Sequence, residues 1–330
     1  MNKTVFEKIT EVIYTYASVI LFVLVFAVFS MLSDKFLDLK NIINILQQSS
    51  SIGIVAIGMT FVLLVAGIDL SVGSIMFICA TIAAKMLQLG LPIWASVIMI
   101  LAAGLLVGWV NGYVSYKFKI MAFIVTLGML YICRGLGLMI TNTREIKLPE
   151  AFLKIGFSSV AGIPVPVLLF AVVILISYFV LKFTTFGRQV YAVGNDPDGA
   201  KKAGIPVRRI LIGVYVISGF AAALGGLVAI AQLGTVAPKF GDQREFIAVA
   251  AAVLGGTSLF GGRGNIFPGT VLGTILILMI ENGLVIINAD PYIYPIISGG
   301  VIFLAVFIDS VRNKQLEKLG KRKIRTARQS

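Results

Sequence analysis

Five strongly polar side chains stand inside long apolar runs: Asn111, Arg134, Gln232, Glu281 and Asn282. Each is expensive in hydrocarbon, so each is a functional candidate by default, with helix–helix packing as the plainer alternative. Arg134 has two outlets, snorkelling to an interface or pairing with a carboxylate, and Glu281 with Asn282 can glue helices together. The chemistry this set allows is hydrogen bonding to an uncharged polar solute. An ion path needs clustered buried charges, and the runs hold few. Histidine is absent, which removes the commonest metal ligand and general base together. Cys79 and Cys133 both lie in apolar runs, so neither a disulfide framework nor a cysteine metal site is indicated. No nucleophile–base pair suggests an enzyme, and no metal or cofactor is expected in the chain. It has no GxxxxGK[ST] phosphate loop, so ATP-driven work would require a second protein.

The elements that must hold these residues follow from composition. Of 330 residues, 58% are hydrophobic and 13% charged, with a mean hydropathy of +0.98, whereas about a quarter of a soluble domain is charged. A bilayer-crossing helix needs about 20 apolar residues and must satisfy its backbone within its own segment. The expected class is therefore all-α, a polytopic membrane protein. Ten spans are read, at 12–33, 43–66, 71–89, 93–115, 120–141, 164–184, 209–231, 245–261, 267–288 and 292–310. The first, preceded by Lys3 and Lys8, is longer than a signal-peptide core and is read as retained. Small-residue runs at Ala221–Gly226 and Ala248–Ala252 suit close helix packing. Residues 1–310 form one membrane domain, followed by a basic tail, 311–330.

The net charge is +13, from 28 basic and 15 acidic residues. Its placement beside apolar spans suits membrane orientation and not nucleic acid. With the N-terminus inside, inner segments hold 19 lysines and arginines and outer segments 8, so both termini are expected in the cytoplasm.

Three hydrophilic stretches exceed simple turns. Those at 141–163 and 232–244, on the outer side, either dock something or cap helices. The inner stretch 184–207, TTFGRQVYAVGNDPDGAKKAGIPV, is punctuated by glycine and proline into a loop, a short helix over Asp198–Ala203 and a second turn. Asp196 or Asp198 would cap that helix and Gly204 would stop it. Gly199 and Ala200 allow close approach to another backbone, with Lys201 and Lys202 on a wet face. Between the second and third spans, the run from Gly67 to Ser74 breaks a helix near the inner face, where Asp69 and Ser71 can cap the helix that follows. Two readings stand, a structural hairpin and direct contact with a solute. A second glycine-rich hairpin, Gly255–Thr270, repeats the layout faintly: Gly58 and Thr60 precede one break, Gly255 and Thr257 the other.

Three of these runs, in this order, carry a resemblance. AGIDLSVGS, Ala66–Ser74, is similar to the GGIDLSVGS of permease subunits of ATP-binding-cassette importers for ribose, xylose and galactosides, departing by one methyl group at Ala66. Gly187–Arg188, Ala192–Gly194, Asn195, Ala200 with Ala203, and Gly204–Ile205 resemble that family's cytoplasmic loop. GGTSLFGGRGNIFPGT, a span ending ENGL, and a last span ending in Asp309 and Arg312 complete the match over about residues 40–310. The resemblance implies that the short inner helix enters a cleft on an ATPase and transmits its closure. The implied coupling residues are Gly187, Arg188, Gly194, Asn195, Ala200, Ala203 and Gly204. Gly67, Asp69, Ser71 and Gly73 belong to the family motif and, with Asn111 and Asn282 of the spans, are candidates for the pathway. The implied partners are an ATPase with two cassettes, which would bind ATP and Mg, a second permease copy or paralogue, and an extracytoplasmic sugar-binding protein. The implied activity is import of a monosaccharide across the bacterial plasma membrane. Two rivals remain: a permease of the same superfamily for branched-chain amino acids or nucleosides, and a stand-alone ion-coupled carrier, against which the scarcity of intramembrane carboxylates counts.

Overall fold

The computed structural model describes residues 5–304, 306–307 and 310–311, with side-chain surroundings given from residue 18. Asp309 and, within the basic tail, residues 312–330 lie outside the described residues. The helices are α1 Val5–Leu32, α2 Leu39–Leu64, α3 Val72–Gln88, α4 Ile93–Phe118, α5 Ala122–Thr141, α6 Glu150–Phe157 and α7 Val165–Phe183. They continue with α8 Thr185–Asn195, α9 Pro197–Lys202, α10 Val207–Leu233, α11 Arg244–Leu254, α12 Val271–Ile286 and α13 Ile293–Leu304. Among the described residues, six stretches are long and apolar enough to cross a membrane: α2, α4, α5, α7, α10 and Ile266–Ile286, which contains α12. Residues 18–32 of α1, α3 and α13 are shorter apolar helices. The protein is all-α and polytopic, as its composition requires.

The six differ in what surrounds them. The most apolar stretches of α2, α10 and Ile266–Ile286 are 83%, 61% and 67% buried, against 22%, 17% and 22% for α4, α5 and α7. Lipid and protein interior are equally apolar, so hydropathy cannot separate these two groups. Gly104, Gly108 and Gly112 form one stripe along α4 that lies against α10. A Cβ on Gly104 would lie 2.5 Å from the Gly219 carbonyl oxygen, and one on Gly112 2.8 Å from Ile212 Cα. The two backbones therefore touch.

Two segments differ from the sequence reading. The span expected at 245–261 is helical only over Arg244–Leu254, about 17 Å at 1.5 Å per residue against a ~30 Å hydrocarbon core. Gly255–Gly262 is half glycine, and Gly256, Gly261 and Gly262 take φ of 93°, 81° and 68°, which ends the helix. Conversely, the loop expected from Thr184 to Asn195 is helix α8. Thr184 caps it by accepting a bond from Gly187 N at 3.2 Å, and its Val190 and Val193 are buried. The glycines there serve close packing and not turns.

At the opposite end, the 141–163 stretch builds a cap. Ile146–Lys147 pairs antiparallel with Thr235–Val236, and α6 buries Phe152 completely. Gln47 Nε2 donates to Gly156 O at 3.2 Å and Gln232 Nε2 donates to Gln47 O at 3.1 Å, tying α6 to α2 and α10.

Candidate functional site

The break between α2 and α3 is gripped from three helices. Asp69 Oδ1 accepts from Ser71 N at 3.0 Å and Ser71 Oγ at 2.5 Å, and Oδ2 accepts from Ser218 Oγ of α10 at 2.8 Å. Asn111 Nδ2 of α4 donates to Ser71 Oγ at 2.8 Å. Thr126 of α5 accepts from Leu70 N at 3.1 Å and donates to Ile68 O at 3.2 Å. Asp69, Ser71, Asn111, Thr126 and Ser218 are all fully buried. A buried carboxylate is tolerable when its oxygens are hydrogen-bonded, and the three bonds here meet that need. Asn111 lies seven residues from the inner end of α4 and Ser218 eleven from the start of α10, so the network sits about 10–16 Å into the bundle from the α8–α9 end. Two polar atoms at this level have no partner, Asn111 Oδ1 and the Tyr215 hydroxyl. A Cβ on Gly67 would lie 2.6 Å from that hydroxyl.

Gly73, the second residue of α3, faces Gly241 and Glu245, both of which a Cβ would strike. Arg134 of α5 closes the same region. Its guanidinium donates to Phe240 O at 2.7 Å and Pro238 O at 3.3 Å, pairs with Asp242 at 2.5 Å, and lies 4.7 Å from the Phe77 ring centroid. Of its two outlets, Arg134 takes the carboxylate, and the pair holds the segment before α11 inside the bundle. Asn282 is buried on α12 with Oδ1 unpartnered, apart from the Asp69 network. Glu281 lines a small crevice with Ile247, Ile277 and Ser298.

The α8–α9 element caps the other end. Asp196, not Asp198, is the N-cap of α9, accepting from Asp198 N at 3.1 Å and Gly199 N at 3.0 Å. Gly204 ends it with φ 81°, and the bonds Gly204 N to Lys201 O and Ile205 N to Ala200 O, each 3.0 Å, close the helix in a Schellman turn. Ala200 is buried against the bundle, whereas Arg188, Asn195, Ala203 and Gly204 are exposed. Gly187 is buried against the end of α7. Gly194 sits so close to α2 that a Cβ would run into the Leu64 carbonyl oxygen. That oxygen accepts from Gly262 N at 2.9 Å, and the Tyr191 hydroxyl donates to Gly264 O at 2.8 Å. Partial burial pushes the Tyr191 hydroxyl above its ordinary pKa. The end of α2, helix α8 and the Gly255–Thr270 hairpin thus meet at one junction.

Ser218, Thr126 and Tyr215 escape a search for polar residues in apolar runs. Hydroxyls in helices commonly bond to their own backbone, so their presence alone signals little. The spacing of Gly104, Gly108 and Gly112 along α4 is the signal that would have marked that face for a close helix contact.

Residues 41–306 match the family model described as branched-chain amino acid transport system / permease component. Among curated proteins, the chain is 37% identical to the ribose import permease protein RbsC of Haemophilus influenzae, over 94% of this chain and 97% of that one. It is 37% identical to the D-allose transport system permease protein AlsC of Escherichia coli, over 91% and 92%, and 32% identical to the xylose transport system permease protein XylH of Haemophilus influenzae, over 91% and 97%. No solved structure matches. With nearly its whole apolar bundle, both glycine-rich hairpins and the α8–α9 element inside the matched residues, this chain belongs to the branched-chain amino acid transport system permease family of multi-pass plasma-membrane proteins.

Proposed function

We propose that the chain is the membrane-spanning subunit of an ATP-binding-cassette importer for a monosaccharide of the ribose, allose or xylose kind. It would catalyse no bond chemistry and translocate a solute, with ATP and Mg bound by a partner ATPase and sugar delivered by an extracytoplasmic binding protein. Residues 1–310 would act as one permease domain with both termini in the cytoplasm, paired with a second permease copy. The observation that supports this reading best is the α8–α9 element. It is capped at both ends and seated by backbone on α2 and on the Gly255–Thr270 hairpin. A force on its exposed residues, Asn195, Ala203 and Gly204, would reach the Asp69 break through α2 without being absorbed by side-chain motion.

In this account the network of Asp69, Ser71, Asn111 and Ser218 is a latch. It has no exposed surface in the present arrangement, so the motif residues would meet a sugar only after the helices rearrange. The unpartnered Asn111 Oδ1 and Tyr215 hydroxyl favour a second arrangement that satisfies them.

The test is uptake of labelled ribose, allose and xylose into proteoliposomes holding this chain with its ATPase and binding protein. Transport that requires ATP and both partners is expected. Gradient-driven uptake by the chain alone would overturn the reading. Competition by leucine in place of sugars would move the substrate to the branched-chain amino acids named in the family description.

A further inference from the structure

We propose that the groove between α7, α8 and the turn Ile266–Thr270 binds the phosphate-bearing headgroup of an anionic phospholipid. The groove encloses about 470 Å³, and Tyr178, Lys182, Arg188, Tyr191, Asn265 and Phe267 line it.

Position supports a lipid. Lys182 lies in the last turn of α7, and one to two turns before it Leu175, Ile176 and Phe179 are 58–67% exposed, as a face in contact with acyl chains must be. The groove therefore opens where the apolar belt of α7 ends and headgroups begin. Phe267, 57% exposed on the opposite wall, adds an aromatic side chain at that level.

Charge supports an anion. Lys182 and Arg188 have no carboxylate partner among the described residues. The Lys182 ammonium donates to the Tyr178 hydroxyl at 2.6 Å and rests 5.0 Å from the Tyr178 ring centroid, so it is held against the groove wall. Arg188 is exposed and unpaired, and a guanidinium offers two parallel donors that match phosphate oxygens. Asn265 spends its side-chain oxygen on Gly269 N at 2.7 Å, which leaves its amide N–H groups as further donors. A neutral sugar has no use for two uncompensated cations, and the knob residues that face outward at Ala203 and Gly204 lie on a different element. The inference does not depend on which solute is transported.

Native mass spectrometry of the full-length chain, purified in detergent and given phosphatidylglycerol or phosphatidylcholine with the same acyl chains, tests this directly. The parent should retain phosphatidylglycerol selectively. The double variant K182Q/R188Q should lose about thirtyfold in its affinity and R188Q alone about fivefold, as each cation near an anionic surface contributes a similar factor. K201Q/K202Q, which removes the same charge from the exposed face of α9, should bind as the parent does. If the double variant aggregates, R188Q decides. Equal retention of phosphatidylcholine, or parent-like retention by R188Q, overturns the proposal. Displacement of the lipid by glycerol 3-phosphate at equal concentration also overturns it, because the groove would then read a free phosphate ester.

Discussion

Two junctions of the bundle are fastened by different chemistry. At the α8–α9 end, Leu64, Gly194, Gly261 and Gly262 meet backbone to backbone, with the Gly262 N to Leu64 O bond at 2.9 Å. Toward the other end, α5 is fastened to the segment before α11 by one guanidinium on two carbonyls and a carboxylate. A backbone contact has no rotamers and cannot slacken, so it passes a displacement on. A side-chain clamp can release by rotation and re-form elsewhere. In the proposed importer the first junction would transmit and the second would switch, with the Asp69 network between them.

Breaking the backbone junction should have the largest effect. Gly194→Val drives a side chain into the Leu64 carbonyl, and overpacking of this kind costs about 1–3 kcal/mol even where neighbours can yield. Backbone cannot yield, so both thermal stability and uptake should be lost, and detergent melting with a transport assay would read the two. Ala203→Trp probes the same end from outside. Ala203 is exposed, so melting and membrane insertion should match the parent while ATP hydrolysis by the assembled transporter no longer drives uptake. Unchanged uptake would remove the coupling role. Ala200, buried against the bundle, is the poorer probe because a bulky side chain there perturbs packing first.

At the clamp, Arg134→Gln should destabilise by about 1–2 kcal/mol, since two carbonyls lose a charged donor while Asp242 is half exposed and can be rehydrated. Asp242→Asn should do less, below about 1 kcal/mol, because Arg134 keeps its carbonyl bonds. Equal losses would mean that the ion pair and not the carbonyl contacts carries the clamp. The smallest effect is expected from Ala66→Gly. Ala66 holds φ 57°, a left-handed conformation that costs a β-carbon about 1–2 kcal/mol, partly offset by the greater freedom of glycine in the unfolded chain. A net gain in stability of under about 1 kcal/mol should follow, without loss of uptake.

Much of this was legible in the residues. Apolar runs gave the helical class, and the glycine and aspartate punctuation gave the α9 knob with its stop at Gly204. What stayed hidden has physical causes. Gly187 and Gly194 read as turn formers, yet each is glycine because another backbone passes within contact distance, and a sequence does not record who the neighbour is. The length of α11 was overestimated because the apolar run ending at Leu254 was carried on through Leu259 and Phe260, whereas Gly256, Gly261 and Gly262 take φ values that forbid a helix. The Asp69 network joins the break before α3 to α4 and α10, and no spacing within one helix announces such a meeting.

The most direct test of the central claim, that α8 and α9 stand on the cytoplasmic side where a separate motor can push them, is thiol labelling at Lys201→Cys. The native cysteines are buried, Cys79 at 0% and Cys133 at 3% exposure, so the background is low. A membrane-impermeant maleimide should leave the variant unlabelled in intact cells and label it once the membrane is opened. Labelling in intact cells would contradict the account.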